Sequence, residues 1–205
     1  MSANASTLTI PAHGTIFHAP VNTAPPSNPL GSSGFNLQLD GPTPWRNLGH
    51  TSKTNTIAFT REGGERTSLD TFLADSVRYS DASTSWGLTV NALQFDEDNL
   101  RFAFNGDFDP DTGGYIVATP KPVQTALFLY FQDSTGSLGF WIPNAEMTLG
   151  DAPSVDTAAF FELPLTASIL SADSAAIAPL DGRAGLYEIF QTNLTDGGGT
   201  GGSDD

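Results

Sequence analysis

The sequence predicts a mainly β domain, a sandwich or barrel carrying one short flanking α-helix. Short apolar runs alternate with polar residues at a period of two along much of the chain. Gly 21 and Pro 14 separate these runs with turn signals. Only one stretch carries firm helix-capping chemistry. A length of 205 residues suits one domain with tails better than two full domains.

The chain is organised around residues 85–106. Trp86, Leu88, Val90 and Ala92 alternate with Gly87, Thr89 and Asn91, as expected for a strand with one face on a core. Asp96 is placed to accept hydrogen bonds from the first free amides of a helix, and Glu97 and Asp98 suit the positive end of its dipole. Phe95 and Leu100 are spaced as a hydrophobic staple, and Gly106 is expected to be the left-handed residue that ends the helix. So short a helix needs Leu100, Ala103 and Phe104 buried against the sheet.

Before this stretch, Thr7 to Ile10 is a scrap of alternation followed by seven prolines: Pro11, Pro20, Pro25, Pro26, Pro29, Pro42 and Pro44. Proline donates no amide, so the start of the chain reads as an extended or surface-hugging arm rather than a central strand, with a disordered leader as the alternative. The expected division is an extended N-terminal arm over 1–34, a β domain over 35–192 and a flexible Gly-rich acidic tail over 193–205. Within the domain, Phe35 to Leu39 predicts a short strand. Thr56 to Thr60 predicts another, leading to a turn at Gly63-Gly64 that is flanked by Arg61, Glu62, Glu65 and Arg66 and reads as a charged hairpin or loop tip. Leu69, Phe72 and Leu73 have the spacing of a helical turn within Leu69 to Arg78.

Beyond the helix, Asp107 to Gly114 is a turn. Strands are predicted at Tyr115 to Ala118, Val123 to Phe131, Leu138 to Ile142, Glu146 to Leu149 beyond Pro143, Phe160 to Leu170, and Leu186 to Phe190.

The net charge is −15 and uneven. Residues 1–105 hold six basic against nine acidic residues, and residues 106–205 hold two against fourteen. Such a chain repels phosphate, which argues against duplex binding. No apolar run approaches the roughly 20 residues that span a bilayer, and no targeting signal is evident, so no membrane insertion is expected. With Cys 0 there is no thiolate chemistry or disulfide framework.

Asp107, Asp109 and Asp111 resemble the start of a calcium loop, but Thr112 and Ala118 stand where that loop needs Gly and Glu, so a solvated acidic turn is the better reading. His13, His18 and His50 are too scattered for a metal site. No nucleotide, hydrolase or metalloprotease motif is present, so no enzyme, cofactor or metal is expected. Trp86 and Phe140 sit in alternating runs and read as core. Trp45 and Trp141 are candidates for a contact surface, which leaves a monomeric carbohydrate-binding module as the alternative function.

Leu48-Gly-His-Thr-Ser, Gly63-Gly64-Glu65, Trp86 to Asp96 leading into Asn99-Leu-Arg-Phe-Ala-Phe, Gly139 to Glu146, and Glu162 to Leu170 together resemble, in order, the major tail tube proteins of long-tailed non-contractile bacteriophages. The resemblance covers roughly Phe35 to Phe190. It implies a small β-sandwich or barrel with a helix, polymerising as stacked hexameric rings into the tail tube through which the genome reaches the host cell. It also implies tape measure, tail terminator and distal tail proteins as partners, and assembly in the host cytoplasm. Against that background the less acidic stretch containing Arg46, Lys53, Arg61, Glu62, Glu65, Arg66 and Arg78 is the candidate subunit or ring–ring contact, facing an acidic surface on its neighbour.

Overall fold

The computed structural model describes Leu8 and residues 11–192. The tail expected over 193–205 and the remainder of Thr7 to Ile10 lie outside the described residues. The elements are β1 His13–Ala19, β2 Arg46–Asn47, β3 Ala58–Gly63, β4 Arg66–Thr71, β5 Ala74–Asp81, β6 Thr84–Ala92, α1 Glu97–Phe104, β7 Asp107–Phe108, β8 Tyr115–Ile116, β9 Val123–Gln132, β10 Ser137–Leu149, β11 Leu163–Ile169 and β12 Glu188–Gln191. The mainly β expectation holds, with α1 the single helix among the described residues.

The main sheet runs β2-β1-β9-β10-β11-β6-β3, with β12 also on β10. Main-chain bonds then join its ends. Leu48 donates to the Ile16 carbonyl at 2.7 Å, while Ser52 donates to Asn91 at 2.8 Å and Leu93 to His50 at 2.9 Å. Thr51 bridges Ala92 in the same antiparallel sense. Residues 46–52 therefore strap β1 to β6, and β1, β9, β10, β11, β6 and the strap close into a small antiparallel barrel, which removes the edges an open sheet would leave.

Two apolar clusters fill the molecule. Ile16, Leu88, Val90, Leu127, Ile142, Met147, Leu163 and Leu165 are among the side chains inside the barrel. Phe17, Phe35, Trp45, Ala126, Phe128, Tyr130 and Trp141 form the second cluster on the opposite face of β1, β9 and β10. Because β9 is covered on both faces, residues 125–130 are buried without a break.

Register places the end of β6, the start of β11, the end of β10, the start of β9 and the end of β1 at one rim of the barrel. Helix α1 lies there. Asp96 caps it by accepting from the Asn99 amide at 3.0 Å. Phe102 and Ala103 enter the core, with Leu100 and Phe104 packed partly against it. The left-handed terminal residue is Asn105, at φ 48°, rather than the expected Gly106. Gly106 is needed for close approach, since a Cβ there would stand 2.0 Å from the Ile116 carbonyl. Phe95 sets its ring edge-on against Phe161, with centroids 4.6 Å apart.

Three local expectations are corrected. His13–Ala19, expected in an arm, is a strand between β2 and β9, because Pro11 and Pro20 bracket it and remove no ladder donor from its interior. Phe35 to Leu39 is not a strand: the Asn36 side chain accepts from the Gln38 and Leu39 amides in a local turn, and Phe35 stacks on Phe128 at 4.2 Å. Leu138 to Ile142 and Glu146 to Leu149 are one strand, because a register shift between Ile142 and Ala145 accommodates Pro143.

Candidate assembly surface

The β3–β6 pair does not end at Gly63. Gly64 donates to Ser83 at 3.2 Å and Ala82 to Glu65 at 2.9 Å, which carries the ladder into β4–β5. Residues 58–89 thus form one long ribbon that leaves the barrel at the rim opposite α1. The turn expected at Gly63-Gly64 is instead a kink within this ribbon, with φ of 74° and 75°. A Cβ on Gly63 would meet the Ser83 carbonyl at 2.1 Å, so the position requires glycine.

The helical turn expected within Leu69 to Arg78 is also corrected. This segment pairs as β4–β5. The reversal between the strands is held by Thr71, whose hydroxyl oxygen accepts from the Ala74 amide at 3.1 Å. At about 3.3 Å per residue, the path from Gly64 to Phe72 extends roughly 26 Å.

Every residue of β4 and β5 is exposed. Phe72 and Leu73 at the tip are 113% and 99% exposed, and Val77, Tyr79 and Leu69 are about half exposed. A two-stranded ribbon with no covering layer is marginally stable in water, and the apolar side chains collected at its tip make it the candidate contact surface. Sequence reasoning missed Phe72 and Leu73 because their spacing from Leu69 fits a helix and because the reversal Thr71-Phe72-Leu73-Ala74 contains no Gly, Pro or Asn. The signal that finds the ribbon is the alternation of Thr67, Leu69 and Thr71 with Arg66, Ser68 and Asp70.

The predicted contact residues divide between two places. Arg61 and Glu62 lie on β3, Glu65 at the kink, Arg66 on β4 and Arg78 on β5. Arg66 sits 3.3 Å from Asp81, with its guanidinium 4.5 Å from the Tyr79 ring centroid. Arg78 stands opposite Leu69. Arg46 is not on the ribbon: it lies in the strap, 3.0 Å from Asp98 of α1. Lys53 occupies the exposed loop after the strap.

A family model described as phage tail tube protein matches residues 1–180. The chain belongs to this phage tail tube family. None of the curated proteins compared with it matches. Membership makes it a structural component of the virion tail.

In this tail tube protein both candidate tryptophans are buried, at 2% for Trp45 and 3% for Trp141. Their indole N–H groups donate to the carbonyls of Ala24 and Thr23, at 3.2 and 3.0 Å. They hold the 20–45 segment against the sheet and present no sugar platform.

The titratable groups with shifted pKa values serve the fold. His18 at the end of β1 is lowered, mainly by burial, despite Asp98 Oδ2 at 3.4 Å from its Nε2. Asp109 is lowered because it accepts from the Thr112 hydroxyl at 2.7 Å and from the Asp111 amide at 2.9 Å within its turn. Glu162 is lowered by hydrogen bonds from Ser52, Asn55 and Asn91, which fasten the loop after the strap to the start of β11. Among the described residues, no helix of the tail tube protein is long and apolar enough to cross a membrane.

Proposed function

We propose that this protein polymerises as hexameric rings stacked into the tail tube of a long-tailed, non-contractile phage, and that the tube is the conduit for genome delivery. Its role in this reading is structural, without catalysis. The observation that carries it is the outer part of the ribbon, β4 and β5, a paired element with an apolar tip and no partner layer in its own chain. Such an element gains stability when it lies on a neighbour. The net charge of −15 supports the conduit, because an acidic wall repels passing DNA instead of gripping it.

In this reading, assembly takes place in the host cytoplasm. The tape measure, tail terminator and distal tail proteins meet the tube along its bore and at its ends. Arg61, Glu62, Glu65, Arg66 and Arg78 act on the ribbon, while Arg46 and Lys53 act at the barrel wall. Arg61 and Arg78 are the cations best placed to meet an acidic neighbour, because Arg66 is already paired with Asp81.

The test is to concentrate the purified protein and follow light scattering with negative-stain electron microscopy. Rings and hollow tubes are expected. A monomer at every concentration, in the presence of a tail-initiation complex as well as alone, would overturn the proposal. Reversing Arg61 and Arg66 to Glu is expected to block tubes and leave the subunit folded, and unimpaired tubes would remove these residues from the contact.

A further inference from the structure

The ribbon tip needs a receiving surface, and the opposite rim of the barrel carries one. Phe160 is 81% exposed and Val155 82% in the loop between β10 and β11, and Phe95, just after β6, is 52% exposed with its ring on Phe161. Ala92 pairs with Leu163, which brings the residues after β6 beside those before β11 at the α1 rim, so Phe95 meets Phe161 next to Phe160, and Val155 lies in the same loop. The segments bearing them, 93–97 and 150–162, contain Asp96, Glu97, Asp151, Asp156 and Glu162 and no Lys or Arg. These two segments thus offer exposed apolar side chains among carboxylates, while the rest of the rim carries Lys121 just before β9 and Arg46 and Arg101, which lie 3.0 and 3.9 Å from Asp98 of α1.

The ribbon has the complementary form. Phe72 and Leu73 lie at its tip, and Arg78 and Arg61 lie along it with no ion pair among the described residues. Tip and patch belong to opposite rims of one barrel. One copy therefore cannot satisfy its own patch without folding the ribbon back along the wall, and the exposure of β4 and β5 shows that it does not.

We infer that Phe72 and Leu73 of one copy seat on the Phe95, Phe160 and Val155 patch of a second copy of this chain, with Arg78, opposite Leu69 near the tip, facing the carboxylates of segments 93–97 and 150–162. The contact is heterologous and head-to-tail, so each copy uses one tip and one patch and the assembly grows along a single direction. Apolar anchors supply affinity, and the charges set orientation and association rate. The inference rests on the tube reading and adds to it which two surfaces meet.

Two variants and a cross-link test it. The tip variant carries Phe72→Ser and Leu73→Ser, and the patch variant carries Phe95→Ser and Phe160→Ser. Each is expected to raise the concentration needed for tubes on the order of tenfold or more. Mixed together, they retain one good tip and one good patch between them and form short stacks that stop growing. In otherwise unaltered protein, which has no cysteine, Leu73→Cys with Phe160→Cys is expected to give, on oxidation, a ladder of covalent oligomers on a denaturing gel.

Tubes from the patch variant at the normal concentration, together with no ladder, would overturn the docking site and leave the tube reading standing. Absence of tubes from the unaltered protein under all conditions would remove both. The cross-link remains decisive even if the patch variant misfolds, because exposed Leu73 and Phe160 tolerate cysteine.

Discussion

Asn99, in the first turn of α1, donates from Nδ2 to the Leu48 carbonyl at 3.1 Å, which ties the helix to the strap that closes the barrel. The same amide group also reaches the Asp96 cap at 3.0 Å. Asn99→Ala leaves the Leu48 carbonyl without this donor in a buried setting and is expected to cost about 1–3 kcal/mol. A lower denaturant midpoint at unchanged slope is the expected result, and an unchanged midpoint would show that the bond contributes nothing.

The neighbouring His18 makes stability depend on pH. Burial lowers its pKa below the ordinary value of 6.5, against the attraction of Asp98 and with Arg101 and Arg46 adding repulsion. The folded state therefore binds this proton less readily than the unfolded chain. The resulting stability is fully present above the unfolded pKa and declines as pH falls below 6.5 toward the lower folded value. Melting curves from pH 8 to 5 are expected to show that decline, with His18→Gln reducing it. An identical profile in both proteins would assign the acid sensitivity to the carboxylates.

Trp45 is expected to behave as a core residue. Trp45→Ala removes a ring that packs against Phe35 and Phe128, with centroids 5.4 and 6.4 Å away, and should destabilise the protein by about 3–5 kcal/mol. Thermal unfolding measures the loss. A stable variant with altered binding on a glycan array would restore the contact-surface role.

Gly63 separates barrel stability from ribbon geometry. Gly63→Val places a branched side chain at φ 74° and against the Ser83 carbonyl, so the kink is expected to be lost while the barrel core is untouched. Far-UV spectra and melting temperature should stay close to the unaltered protein, and tube formation should fall. Normal tubes would show that the kink does not orient the ribbon.

The fold class was legible because alternation records burial on one face. Leu88, Val90 and Ala92 point into the barrel, as their spacing predicts. The Asp96 cap was legible because a short side chain bonds within its own turn. What eluded the sequence depends on distant partners. Prolines beside β1 look like strand breakers until Pro11 and Pro20 are seen to lie outside the strand, and Trp45 looks available for contact until Phe35 covers it. Phe72 and Leu73 were hardest to place, because helical spacing and a ribbon tip share the same three apolar residues when no neighbouring element constrains them.

The strap over residues 46–52 has a mechanical consequence. Its amides and carbonyls join β1 on one side and β6 on the other, so the hydrogen bonds run around the girth of the barrel as a complete hoop. Outward force on a hoop loads many parallel bonds together, whereas an open sheet yields by peeling one bond at a time from its edge. A wall tiled from such hoops resists bursting within each tile and concentrates compliance at the seams between them.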